Sequence, residues 1–239
     1  DSIKVLIGAS IGGQQAIEWS VSKPTTFQKL VLLATNAQHS PYGVAFNESQ
    51  RMAIFTDVTY GNGNLNDAKL GLSAARSIAM LSYRSYNGYG EDQREENLNK
   101  YSDYKAESYQ RYQGEKLSNR FNAYSYVTLS RAMDSHNVGR NRNGNKEALK
   151  SIKSKTLVIG ISSDNLFPIQ EQKFLASNIP NAHFSLIDSK YGHDGFLIET
   201  DQISKLIKDF MFNDFNNNKR TTFRGMTQKS ELMNLNRLN

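Results

Sequence analysis

Two kinds of hydrophobic pattern alternate along this chain. Lys4-Val5-Leu6-Ile7 is a short apolar run with β-branched residues that stops at Gly8, and it reads as a buried parallel strand. From Gly12 to about Ser22 the spacing is helical, with Ala16, Ile17 and Trp19 directed to the core and Pro24 marking the end. Leu30–Ala34 is a second buried strand. Strand, sharp glycine turn, helix and strand make a βαβ unit, which implies a parallel sheet with a right-handed crossover.

From residue 41 to 150 strand patterning all but disappears. Helices are expected over Ala45–Thr56, Ala68–Tyr83, Tyr101–Gln113 and Leu117–Met133, with Asn and Gly at the turns. Strand character returns at Thr156–Ile161 and Phe184–Ile187. A helix near Gln172–Asn178 lies between them, stopped by Pro180. A last amphipathic helix over Asp201–Phe212 carries Ile203, Leu206, Ile207 and Phe210 on one face. The pattern predicts an α/β architecture. Residues 1–40 and 151–212 supply the sheet and its helices, 41–150 is a helical insertion, and 213–239 is an Asn-rich basic tail.

The chain has 239 residues, enough for one large domain with an insertion. Apolar residues at 38% and charged residues at 22% are ordinary for a globular protein and exclude disorder throughout. No stretch approaches the roughly 18 apolar residues of a membrane span, so no membrane partner is expected. The absence of Cys removes disulfides and Cys-ligated metals, and fits a cytoplasmic setting. The net charge of +6 does not point to nucleic acid. Lys219, Arg220, Arg224, Lys229 and Arg237, set against Asp214 and Glu231, place half of the excess in the tail.

Gly8-Ala9-Ser10-Ile11-Gly12 fits G-x-S-x-G, and it follows a strand and opens a helix, the context a nucleophile elbow needs. A tight βα turn with a capping Ser is the alternative. An elbow presents the Ser10 hydroxyl at a helix N-terminus, where backbone N–H groups favour negative charge. The Ile11 N–H is then one oxyanion donor. The second would come from an upstream loop. A serine nucleophile needs a base. Of four histidines only His193, in Tyr191-Gly192-His193-Asp194-Gly195, is both late in the chain and in a glycine-flanked loop after a strand. His39, His136 and His183 read as structural or surface residues. Asp164, directly after the Leu157–Ile161 run, is favoured over Asp188 as the acid that accepts the imidazole Nδ1–H.

Taken together these segments resemble the homoserine O-acetyltransferase family, acyltransferases of α/β-hydrolase fold that serve methionine biosynthesis. The resemblance is carried by Gly8–Gly13, Ala45–Arg51, Ala75-Arg76 through Leu81–Arg84, Tyr112–Lys116, Arg131–His136, Gly160–Pro168 and Tyr191–Leu197, in order along the chain. Ala9 and Ile11 depart from it, standing where the family commonly has Gly and Met.

The resemblance implies an α/β-hydrolase fold with a helical lid, and Ser10, Asp164 and His193 as catalytic triad. It implies that Arg76 pairs with a substrate carboxylate, that Tyr83 lines the pocket and that Asp194 holds the substrate amino group. It further implies L-homoserine and acetyl-CoA as substrates, no metal or bound cofactor, and a homodimer formed through the helical insertion. The rival readings are transfer of succinyl or use of serine within the same fold, a plain serine esterase, and an inactive remnant. Measured against the family pattern, the chain is expected to be truncated at its N-terminus, with front strands of the sheet missing and with low stability and activity in isolation.

Overall fold

The computed structural model describes residues 2–212. The predicted basic tail, 213–239, lies outside the described residues. The chain divides into one compact unit, Asp1–Ile207, and a second that begins at Lys208.

The elements run in the order β1 (Ile3–Ala9), α1 (Ile11–Ser22), β2 (Phe27–Leu33), α2 (Pro41–Phe55), α3 (Lys69–Tyr83), α4 (Tyr86–Asp92), α5 (Lys105–Ser118), α6 (Ala123–Asp134), α7 (Asn145–Lys150), β3 (Lys155–Ile161), α8 (Ile169–Asn178), β4 (Ala182–Ile187), a 3₁₀ turn at Gly192–Asp194, α9 (Gly195–Ile198) and α10 (Thr200–Phe212). Among the described residues four strands form one sheet in the order β1-β2-β3-β4, every pairing parallel. Val5 lies opposite Lys29, Leu32 opposite Val158 and Ile159 opposite Ser185.

Continuous apolar runs make the inner strands. Leu30–Leu33 and Thr156–Ile161 are buried throughout, as a sheet covered on both faces requires. On one face Leu30, Leu32 and Val158 pack with Ile17 of α1, Leu149 of α7 and Leu175 of α8. The helices α2–α7 between β2 and β3 hold a second core of Ile54, Leu72, Ala75, Leu117, Ala123 and Val127. Among the described residues no helix is long and apolar enough to cross a membrane.

Trp19 departs from the expectation. It is 57% exposed, while Gly13, Ala16, Ile17 and Ser20 form the buried stripe of α1. At about 100° per residue, Trp19 stands a third of a turn off that stripe. The expected helix Leu117–Met133 is two helices. Asn122 caps α6 by accepting the Ser125 N–H, so α5 stops at Ser118. The helices α4, α7 and α9 have no counterpart in the predicted elements, and α5 begins at Lys105 rather than Tyr101.

Candidate active site

The site is assembled from loops at the C-terminal ends of the parallel strands. Ser10 connects β1 to α1 with φ 52° and ψ −126°, a conformation rare for a residue with a Cβ. Its hydroxyl makes no capping bond to the helix it opens, which removes the capping-serine reading. The turn is pinned from below: Ser10 N–H donates to Leu33 O at 3.0 Å, and Thr35 Oγ1 donates to Ser10 O at 2.8 Å. A Cβ on Gly13 would stand 2.6 Å from Thr35 Cβ, so only glycine admits this approach. The N–H of Ile11, the first residue of α1, has no intrahelical acceptor. It faces the dipole-favoured end where an anion would gather.

Ser10 Oγ donates to His193 Nε2 at 2.9 Å, and His193 Nδ1 donates to Asp164 Oδ2 at 2.7 Å. Asp164 and His193 are each 4% exposed. The second carboxylate oxygen of Asp164 accepts the N–H groups of Leu166 and Phe167, both at 2.9 Å. Asp164, a residue from the loop after β3, thus holds an imidazole from the loop after β4. Serine hydroxyls tie these two loops: Ser163 Oγ donates to Ser189 O, and Gly192 N–H donates back to Ser163 Oγ at 2.9 Å. Gly192 has φ 66°, and a Cβ there would meet Ser85 N at 2.7 Å, so the loop can press against the end of α3. Asp188, the rival acid, is exposed and accepts from Ser162 Oγ.

The imidazole is walled by rings. Phe167 stacks on it at 5.0 Å, Phe196 meets it edge-on at 5.2 Å and Tyr83 lies tilted at 5.9 Å. Tyr83 and Arg76 share one face of α3, and the Arg76 guanidinium sits 5.2 Å over the Tyr83 ring. Arg76 has no ion-pair partner among the described residues. Asp194 does: Arg84 Nε lies 3.4 Å from its carboxylate. Burial pushes the Asp194 carboxyl up, against the pull of Arg84, His193 and Arg76. Burial likewise raises the Tyr83 hydroxyl, and it raises that of Tyr126, which donates to Gln50 at 2.6 Å.

The structure therefore brings Ser10, His193 and Asp164 into one hydrogen-bonded chain, with Arg76, Tyr83 and Asp194 beside it. Sequence reasoning gives no role to Arg84, Phe167 or Phe196. Phe167 and Phe196 each lie three residues past a triad member, which is the available signal. Arg84 has no such mark. His39 and His136 are held in structural contacts: Asn47 Nδ2 donates to His39 Nε2 at 3.3 Å, and His136 Nε2 donates to Asn36 O at 3.2 Å.

A parallel sheet, a strained serine elbow and a serine–histidine–aspartate chain define an α/β hydrolase. Residues 1–200 match the family model for the alpha/beta hydrolase fold, and the chain belongs to that family. Within it, the chain is 45% identical over 210 residues to homoserine O-acetyltransferase of Cyclobacterium marinum, covering 88% of this chain and 60% of that one. The solved homoserine O-acetyltransferase of Staphylococcus aureus superposes with TM-score 0.72 at 28% identity, covering 98% of this chain and 63% of that one. The Bacillus anthracis enzyme of the same name shares the fold, with TM-score 0.81 at 18% identity over 88% of this chain and 60% of that one. The chain spans 52–60% of the length of the curated relatives it matches.

Proposed function

We propose that this chain works as a homoserine O-acetyltransferase, moving an acetyl group from acetyl-CoA to the hydroxyl of L-homoserine through an acetyl-serine intermediate. Ser10 Oγ attacks the thioester carbonyl while its proton passes to His193 Nε2. The Ile11 N–H supports the developing oxyanion. The thioester C–S bond breaks, the CoA sulfur takes the proton from His193, and acetyl-Ser10 remains. His193 then removes the proton of the homoserine hydroxyl, whose oxygen attacks the acetyl carbonyl. Ser10 leaves and recovers the proton. Asp164 keeps the imidazole in the tautomer this needs and stabilises the imidazolium. No metal or resident cofactor enters any step.

Homoserine is a zwitterion, so its recognition needs one fixed cation and one fixed anion. Arg76 would hold the carboxylate through its planar fork, and Asp194 the ammonium. The helices of 41–150 would act as a lid that keeps water from the acetyl-enzyme and as the face of a homodimer. The enzyme would work in the cytoplasm.

One observation carries the reading: a complete serine–histidine–aspartate chain stands beside Arg76, a guanidinium that makes no direct ion pair among the described residues and has Asp194 within electrostatic reach. A plain esterase has no use for that cation. Intact mass after mixing the full natural protein with acetyl-CoA tests it. A gain of one acetyl group, absent in Ser10→Ala and discharged by L-homoserine, is expected. No adduct, or one lost equally fast with and without homoserine, would overturn it.

A further inference from the structure

Beneath the elbow lies a chain of polar side chains that the proposed chemistry does not use. Gln14, in the first turn of α1, donates through Nε2 to Asn36 Oδ1 at 3.0 Å. Asn36, in the loop after β2, donates through Nδ2 to Glu171 Oε2 at 3.0 Å. Glu171 sits in the first turn of α8, seven residues past Asp164. Its neighbour Gln172 donates to Thr35 O at 2.9 Å, and Thr35 donates to Ser10 O. Three loops that must keep a fixed spacing are thus tied across the strand ends.

The chain has a direction. When ionised, Glu171 only accepts, which fits the arrangement found: Asn36 turns its NH₂ to Glu171 and its carbonyl to Gln14. Glu171 therefore fixes how Asn36 grips α1. The charged or titratable groups facing this junction are few. Asp164 lies toward it from the loop after β3, and His136 reaches Asn36 O from beyond α6. Gln14 on α1 is neutral.

We propose that Glu171 is a positioning residue for the nucleophile: through Asn36 and Gln14 it locks the first turn of α1, and with it Ser10, to the loop that carries Asp164. Burial, with a smaller push from the Asp164 carboxylate, raises Glu171 to about 7 against the pull of the Asn36 hydrogen bond. The inference rests on Ser10, His193 and Asp164 acting as a triad, and on nothing about the acceptor.

The test follows acylation of Ser10 in the full natural protein by the burst from p-nitrophenyl acetate, across pH. Glu171→Leu removes the acceptor, and a loss of roughly 10–100-fold in burst rate with KM within about twofold is expected, since small misplacements at a reacting centre carry costs of that order. Glu171→Gln keeps an acceptor for Asn36 and the side-chain shape, so it folds even where Leu does not. It should keep its rate within about threefold across the pH range, the rescue that a positioning role through the Asn36 contact requires. Two results overturn the inference. One is a Glu171→Gln variant that loses as much burst rate as Glu171→Leu. The other is a Leu variant that loses thermal stability without losing burst rate. If wild type gives no burst, or Ser10→Ala bursts equally, the triad reading itself fails and this inference with it.

Discussion

The Phe167 ring lies stacked on the His193 imidazole, centroids 5.0 Å apart and planes 27° apart. The His39 ring stands 5.8 Å from Phe167 as well, tilted by 48°. Phe167 is fully buried, and its N–H donates to Asp164. One residue thus orients the base through its ring and the acid through its backbone. Phe167→Leu keeps the backbone bond and an apolar fill but loses the flat wall. We expect acylation to fall while the fold survives. Phe167→Ala should cost about 3–5 kcal/mol of stability, read from the urea midpoint.

Asp164→Asn tests the tautomer directly. In that variant the side-chain oxygen can still accept from the N–H groups of Leu166 and Phe167, but the amide NH₂ then faces His193 Nδ1. The imidazole would place its proton on Nε2, where it can no longer accept from Ser10. Acylation should drop by roughly 10⁴ with little change in far-UV circular dichroism. A drop under about tenfold would mean that the 2.7 Å contact between Asp164 and His193 does not set the tautomer.

Much of this site could be read from local sequence because its strongest constraints are local. The elbow needs small residues around Ser10, and Gly8, Gly12 and Gly13 supply them between a strand and a helix. His193 stands out because few histidines exist and only one follows a late strand. Tertiary relations leave no such trace. Arg84 meets Asp194 across 110 positions of chain, and Trp19 falls on the wrong side because an apolar residue at a flanking helical position fits either environment. The short helix α4, with two glycines in seven residues, has little intrinsic propensity and owes its place to contacts such as Gly88 against Lys190.

Arg76 and Asp194 should separate binding from chemistry. Arg76→Leu removes the guanidinium, and Asp194→Asn removes the anion. Each should raise KM for a zwitterionic acceptor by about tenfold or more, one lost charged hydrogen bond being worth roughly 1.5–3 kcal/mol. The acceptor-free acetylation of Ser10 should be nearly unchanged in Arg76→Leu. The pH dependence has a sign. Burial raises the Asp194 pKa, so its carboxylate is neutralised as pH falls, starting above the ordinary aspartate range. KM for the acceptor should climb there in wild type and stay flat in Asp194→Asn.

Glu171 makes a separate prediction for stability. Its carboxyl titrates near 4.5 in the unfolded chain and about 7 in the fold. The folded state therefore binds the proton more tightly. The resulting stabilisation is full below pH 4.5 and is lost as pH rises through 7. Glu171→Gln has no proton to lose. Its unfolding free energy relative to wild type should rise between pH 5 and pH 8 by on the order of 1–2 kcal/mol, the partial opening of the carboxyl to solvent taken into account. Denaturant titrations at the two pH values measure it, and a constant difference would show that Glu171 is not protonated in the fold at pH 5.

Ser10 holds φ 52° and ψ −126°, with its Cβ in a backbone region that glycine occupies without strain. Conformations of this kind cost about 1–3 kcal/mol each. The elbow accepts the strain because it lifts the hydroxyl to His193 and clear of the helix it opens. Ser10→Ala keeps the Cβ and so keeps the strain. Ser10→Gly releases it, against a penalty of about 0.4–1 kcal/mol for the freer unfolded chain. Both variants lose the acyl adduct, yet the glycine variant should be the more stable of the two by on the order of 1 kcal/mol. Urea midpoints of the pair decide the matter. A glycine variant weaker than the alanine one would mean that the turn stores no strain and that the nucleophile's position rests on its hydrogen bonds alone.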